Sequence, residues 1–220
     1  MIFEKLLRKN DTLEIKKYFN EIASQWDSMS KEFYSEAVRE KINSLIYPEP
    51  GKIIADIGAG TGFISEGLIN SPASIIAIDQ SSEMLKYMKN KFQDFSNIDY
   101  RIGNANHLPA KDNFVDYALA NMYLHHVDSP PKAITEIYRI LNRGGELILT
   151  DLESHKFGFL KKEHHDRWLG FEHAEVEQWL REAGFKNISI YSIEEYCCAK
   201  SIEPNKNAKI SIFLARGEKQ

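Results

Sequence analysis

From residue 51 onward, short and continuously apolar runs alternate with stretches of helical periodicity, and few folds accept that alternation. Runs at 53–57, 74–78, 115–120 and 146–149 read as strands buried on both faces, with 98–102 a weaker fifth. Helical segments at 61–69, 82–92 and 131–141 lie between them, the last capped by Ser129 with prolines in its first turn. Strand followed by helix, repeated, predicts a parallel, doubly wound sheet. A helix at 173–183, stopped by Gly184, precedes two final strands at 188–193 and 210–215. The link at 201–207 is too short for a crossover helix, so these strands should pair antiparallel and complete a mostly parallel, seven-stranded α/β sheet.

The first fifty residues read differently. Ile15, Tyr18, Phe19, Ile22 and Trp26 form a helical stripe with Asp11 as its N-cap. A second helix, capped by Ser30, would place Tyr34, Val38, Ile42 and Ile46 on one face. The breaker Pro-Glu-Pro-Gly at 48–51 then divides an N-terminal helical lid (1–50) from the main domain (51–220). No run of about 18 apolar residues occurs, which argues against a membrane span. The N-terminus carries charges within its apolar patch, so no signal peptide is expected. The only cysteines, Cys197 and Cys198, are adjacent and unsuited to a disulfide, which fits a reducing, cytoplasmic setting. A net charge of -4 disfavours a general nucleic-acid-binding surface.

The loop after the first strand, in Ile-Ile-Ala-Asp-Ile-Gly-Ala-Gly-Thr-Gly-Phe, carries glycines 58, 60 and 62. A glycine loop between strand and helix turns backbone N–H groups and a helix N-terminus toward a ligand. The dinucleotide pattern Gly-x-Gly-x-x-Gly is not met, because position 63 is Phe. Asp56 precedes the loop, where it would repel a pyrophosphate and would suit a cationic amino group.

With four further motifs in order, the chain resembles the class I S-adenosylmethionine-dependent methyltransferases. Ala-Asp-Ile-Gly-Ala-Gly-Thr-Gly (55–62) is similar to that family's first motif, and Ile-Ala-Ile-Asp (76–79) to the end of its second strand. Gly-Asn-Ala-Asn-His-Leu-Pro (103–109), the fourth-strand run at 113–127 and Leu-Asn-Arg-Gly-Gly-Glu-Leu-Ile-Leu-Thr-Asp (141–151) follow in register. Within the class it looks most like the branch of ubiquinone- and menaquinone-biosynthesis methyltransferases acting on small molecules.

The resemblance implies a Rossmann-like sheet and S-adenosylmethionine as cofactor, with S-adenosylhomocysteine as product. Asp79, 79 − 58 = 21 residues past the first glycine, would accept the ribose hydroxyls. Asp56 would orient the methionine ammonium, and Gly58, Ala59, Gly60 and Gly62 would let the backbone approach. Gln80 and Met84 would line the ribose and adenine, with Asn104 and Ala105 at the adenine and Asn121 beside the cofactor. Asn104 stands where the family usually has Asp, so that contact would lack a charge. Trp26, in Ala-Ser-Gln-Trp-Asp, is similar to an aromatic that lies against the cofactor, although core packing of a helix face would explain it equally well. Asp79 taken alone would serve as a helix N-cap, and Asp116, at the start of a buried strand, reads as structural.

The acceptor is expected at the carboxyl edge of the sheet, beside Asn121, Met122, Tyr123, His125 and His126, with at most one of these histidines facing the site. The catalytic candidates are His126, His155, His164 and His165. The stretch 151–171 is read as a solvated helical lid whose Phe157, Phe159 and Trp168 supply apolar walls. Adjacent histidines on a helix point about 100° apart, so His164 and His165 would not share an ion, and no metal is expected. The expected activity is methyl transfer to a small molecule. The alternatives are an RNA or protein acceptor, or a non-catalytic regulator that binds the cofactor.

Overall fold

The computed structural model describes residues 13–220; the expected Asp11 cap lies outside them. Residues 13–22 are helical (α1), followed by α2 (Trp26–Phe33) and α3 (Glu36–Asn43). The continuous helix expected across 11–29 is broken by a turn at 23–25, which brings Phe19 and Trp26 edge to face at 5.5 Å. Ser30 is not a cap but a buried interior residue of α2. Ser35 caps α3, accepting the Ala37 N–H at 3.2 Å, because the chain is extended at Tyr34 to seat that ring on Phe63 at 4.9 Å.

The sheet contains β1 (Ile53–Ile57), β2 (Ser74–Asp79), β3 (Ile98–Ile102), β4 (Val115–Asn121), β5 (Leu141–Leu152), β6 (Lys186–Lys200) and β7 (Asn207–Glu218). Their order is β3-β2-β1-β4-β5-β7-β6, with β1 to β5 parallel and β7 antiparallel to both neighbours. The last two strands run well past their apolar centres, because an edge hairpin tolerates the alternating polar residues of β6. Crossovers are α4 (Phe63–Glu66), α5 (Ser82–Lys91) and α6 (Pro130–Ile140), followed by α7 (Phe159–Glu163) and α8 (His173–Ala183). α4 is less than half the expected length, confined between Gly62 in the left-handed region and Gly67. Ser81, not Asp79, caps α5. Ser129 stands at the N-cap of α6 without a side-chain capping bond.

Alternate side chains on each strand feed two cores. Leu147 and Leu149 point with Ile137 and Leu180 under α6 and α8, whereas Ile148 joins Val38, Ile42 and Ile54 under α3 to α5. Val38 and Ile42 are fully buried, so α3 belongs to the core layer despite preceding the break at 48–51. Asp116 lies at the amino end of β4, where it accepts the Ile53 N–H at 2.9 Å and pairs with Lys52 at 3.2 Å. No helix among the described residues is long and apolar enough to cross a membrane.

The chain leaves the centre of the sheet from β1 toward β3 and returns beside β1 as β4. That reversal opens a crevice at the carboxyl ends of β1, β2, β4 and β5.

Candidate functional site

A cavity of about 220 Å³ fills the crevice. On one side it is walled by the loop after β1, where the N–H groups of Gly58 and Ala59 donate to the Ile78 carbonyl at 2.8 and 3.1 Å. Gly60 donates to Asp79 Oδ2 at 2.9 Å, which ties the loop to the tip of β2. Gly58 and Gly60 have φ of +71° and +53°, conformations glycine adopts without strain. A Cβ on Gly60 would meet only Trp26 Nε1, 3.7 Å away, across space open to the cavity. Gly62 does something else. A Cβ there would come within 2.5 Å of Phe92 and 2.9 Å of Met88, so this glycine admits the close packing of α5 and does not line the cavity.

The two acids at the strand tips are held in different ways. Asp56 is 2% exposed, and its Oδ2 accepts the Ser65 N–H at 3.1 Å and hydroxyl at 2.6 Å. Burial pushes its carboxyl up to about 6 against those two donors. Asp79 accepts the Ser81 N–H on Oδ1 at 2.8 Å and the Gly60 N–H on Oδ2; burial raises its carboxyl and these donors oppose the shift. Gln80, Met84, Asn104, Ala105, Ala59, Asn121 and Trp26 all reach the same cavity. Asn104 Oδ1 already accepts the Asn106 N–H at 3.0 Å, and Asn121 Oδ1 accepts the Thr150 hydroxyl at 2.8 Å. Their amide groups are therefore oriented before any ligand binds.

The cavity continues without partition to a group of histidines. β4 ends in a kink at Met122, whose φ of +50° is rare for a branched-free but bulky side chain, and a 3₁₀ turn, Leu124–His126, follows. Asp151, at the tip of neighbouring β5 and fully buried, organises that turn. It accepts N–H groups from Tyr123 (3.2 Å), Leu124 (2.7 Å), His125 (3.4 Å) and Leu152 (2.8 Å), and faces His125 Nδ1 at 2.6 Å. Burial works to lower the His125 imidazolium, but Asp151 and Asp166 outweigh it and push the group up to about 9. His126 goes the other way, held well below the usual range by burial and by its charged neighbour. Burial pushes the Asp166 carboxyl up to about 6, against the attraction of His125.

Both His125 and His126 thus line the cavity, where at most one was expected to face it. His164 lines it too, edge to face with Phe33 at 5.2 Å. His165 packs its ring on Tyr18 at 4.6 Å and His155 accepts the Phe157 N–H at 3.2 Å; neither is among the lining residues. The 151–171 stretch is no solvated helix. Only five residues are helical, and α7 turns Leu160 inward, while Phe157 and Phe159 pack beneath with Leu152, Ala199 and Ile210. Trp168 also stays out of the cavity, its Nε1 donating to the Val127 carbonyl at 2.9 Å. The apolar walls come instead from Phe19, Phe33, Met122, Leu160 and Cys197, whose thiol burial pushes up to about 12.

Residues that sequence reasoning missed here are Phe33, Cys197 and the pairing of His125 with Asp151. The last had a detectable trace. β4 and β5 pair as far as Asn121 and Thr150, so residues one to four positions beyond that last pair come close together, and Asp151 and His125 are such a pair.

Residues 55–149 match the family model for a methyltransferase domain. A demethylmenaquinone methyltransferase of Renibacterium salmoninarum is 35% identical over 109 residues, covering 50% of this chain and 45% of that protein. A ubiquinone/menaquinone biosynthesis C-methyltransferase of Wigglesworthia glossinidia brevipalpis is 28% identical over 169 residues, covering 73% of this chain and 67% of the other. The chain thus spans about half to two thirds of the length of these relatives. A Thermotoga maritima structure described as a possible histamine N-methyltransferase superposes with a TM-score of 0.67 at 24% identity, over 95% of this chain and all of that one (100%).

Proposed function

We infer that this chain, which carries a class I S-adenosylmethionine-dependent methyltransferase domain, moves the cofactor's methyl group to a small acceptor of largely apolar surface. The observation that carries the proposal is the single cavity itself. It joins a glycine cradle facing a carboxylate to a pocket of aromatics and histidines, with no wall between.

The cradle fits the cofactor. Gly60 presents open space where any side chain would intrude, and each oxygen of Asp79 keeps a lone pair beyond its backbone donor for a ribose hydroxyl. Asp56, ionised above about pH 6, would attract the methionine ammonium. Met84 and Ala105 would flank the adenine, Asn104 and Gln80 would offer amides at its edge and at the ribose, and Trp26 would close over the loop. Ala59 and Asn121 would complete the wall nearest the sulfur.

The cofactor supplies an already activated sulfonium methyl. The chain has to hold an acceptor atom in line with the carbon–sulfur bond at about 3 Å and keep water out. Phe19, Phe33, Met122 and Leu160 would give an apolar, ring-sized seat that suits a planar acceptor of the quinol kind. An acceptor oxygen or carbon must also lose a proton. Of the four candidate bases, His126 and His164 line the cavity; His126 is kept neutral by burial and by the cationic His125, and burial lowers His164. His155 and His165 would act only through their neighbours.

The test is incubation of the pure protein with methyl-labelled S-adenosylmethionine and fractionated cell extracts. Label recovered in a small, solvent-extractable product supports the proposal. Label confined to RNA or protein, or cofactor binding without transfer in any fraction, overturns it.

A further inference from the structure

Asp166 is buried, at 6% exposure, and its carboxylate accepts no hydrogen bond from any described residue. It lines the cavity, so the partner its charge calls for has to come from there. Its Oδ1 faces His125 Nε2 at 3.9 Å and His126 Nδ1 at 4.0 Å, both too long for hydrogen bonds. One donor atom from each of the three side chains lies within 4.8 Å of the others. Nitrogen and oxygen ligands sit about 2.0–2.2 Å from a divalent ion, and so roughly 3.4 Å from one another in a tetrahedral shell. The two separations from Asp166 exceed that by only about half an ångström, and with every pair within 4.8 Å side-chain rotation can bring all three atoms onto one ion.

The surroundings are those of a ligand set. Asp151 grips His125 Nδ1 at 2.6 Å and is itself fixed by four backbone N–H groups, which leaves Nε2 directed at Asp166. A carboxylate behind a ligating imidazole is the usual outer shell of a metal site. The His165 carbonyl oxygen lies 3.4 Å from His126 Nδ1, near enough to add a fourth ligand. Two imidazoles and one carboxylate suit the iron-to-zinc series better than magnesium or calcium, which prefer all-oxygen shells. The sequence reading expects no metal, because His164 and His165 diverge; the structure brings one residue of the 151–171 stretch, Asp166, to two from the β4 tip.

We propose that His125, His126 and Asp166 bind one divalent transition-metal ion in the histidine-lined part of the cavity. Binding as such does not depend on the methyl-transfer proposal. If both hold, the ion's free positions face the acceptor, His126 serves as ligand and not as base, and the acceptor class narrows to molecules with an oxygen that can coordinate.

The experiment uses the full chain, stripped with chelator and titrated with cobalt(II), reading visible ligand-field absorption, then displaced with zinc. S-adenosylhomocysteine binding is measured by calorimetry on the same samples. We expect one equivalent of metal per chain. Asp166→Asn and His126→Gln should each weaken it by at least about 100-fold, and Asp151→Asn by roughly 10- to 100-fold. His155→Gln should leave it unchanged, and S-adenosylhomocysteine affinity should persist in every variant that binds metal poorly. No cobalt absorption by a chain that still binds S-adenosylhomocysteine overturns the proposal, as does equal metal affinity in Asp166→Asn and the unaltered protein. Metal binding without any affinity for S-adenosylhomocysteine would sink the methyltransferase proposal and leave this one standing.

Discussion

Replacing Asp79 by asparagine keeps the outline of the side chain and removes its charge, so it isolates what the carboxylate does. Each oxygen of Asp79 receives one backbone N–H, from Ser81 at 2.8 Å and from Gly60 at 2.9 Å. An amide can satisfy only one of these donors; the other would then face an NH₂ group, and the cradle would loosen at Gly60 or at the cap of α5. On the ligand side, two ribose hydroxyls would exchange charge-assisted hydrogen bonds worth about 1.5–3 kcal/mol for neutral ones worth about 0.5–1.5. Together the losses come to about 2–4 kcal/mol, roughly a 30- to 900-fold rise in Kd for S-adenosylhomocysteine. Calorimetry on Asp79→Asn and the unaltered chain measures this, with circular dichroism to show that the sheet is intact. A change of less than about threefold in a folded variant would remove Asp79 from the ligand site.

Gly60→Val should abolish S-adenosylhomocysteine binding and lower Tm by a few degrees, because φ is +53° there and the new Cβ would enter the cavity; normal affinity would reduce the loop to a turn. The lid expected over 1–50 should narrow to α1 and α2. Residues 13–33 should gain protection from hydrogen exchange when S-adenosylhomocysteine binds, while α3, with Val38 and Ile42 buried, should not; uniform behaviour across all three helices would contradict this. Affinity should also fall as pH drops below about 6, where Asp56 takes up a proton and loses its attraction for an ammonium group. Because burial holds the folded pKa above the unfolded one, Asp56 adds stability that is complete below the unfolded value and lost as pH rises through about 6. Asp56→Asn should flatten both profiles over pH 4–7, and an unchanged slope of affinity against pH would show that another group is responsible.

The legible part of this chain was the part that works through its backbone. Strand β1, the glycine loop, β2 and its terminal acid bind by position along the chain, so contiguous residues record them, and β1, β3 and α8 have the bounds that the sequence predicts. Gly62 shows the limit: its spacing fits a ligand loop, yet its neighbours in space are Phe92 and Met88. Helix breaks were harder. Nothing local in Ala23-Ser24-Gln25 forbids a helix; the turn exists because Phe19 and Trp26 seek the same cavity. Tertiary packing overrides propensity there, as it does at Tyr34.

The histidine end was the least legible, for a reason rooted in topology. Its side chains come from the tip of β4, the tip of β5, the return of the chain at Asp166 and the far half of β6, more than 70 residues apart in sequence at the extremes. What unites them is one fully buried carboxylate. Asp151 needs donors on every lone pair, and four backbone N–H groups with His125 provide them. Meeting that need bends the chain after Asn121 into its 3₁₀ turn, and the turn aims both imidazoles into the cavity. The His125 carbonyl, fixed in the same turn, then accepts the N–H groups of Arg167 and Trp168 at 2.9 and 3.2 Å, which sets Asp166 opposite the pair. A hydrogen-bonding requirement at the end of one strand thus positions three side chains from two segments. Exchange of Asp151 should therefore disturb the histidine end as a unit while the glycine cradle, built on β1 and β2, keeps its shape.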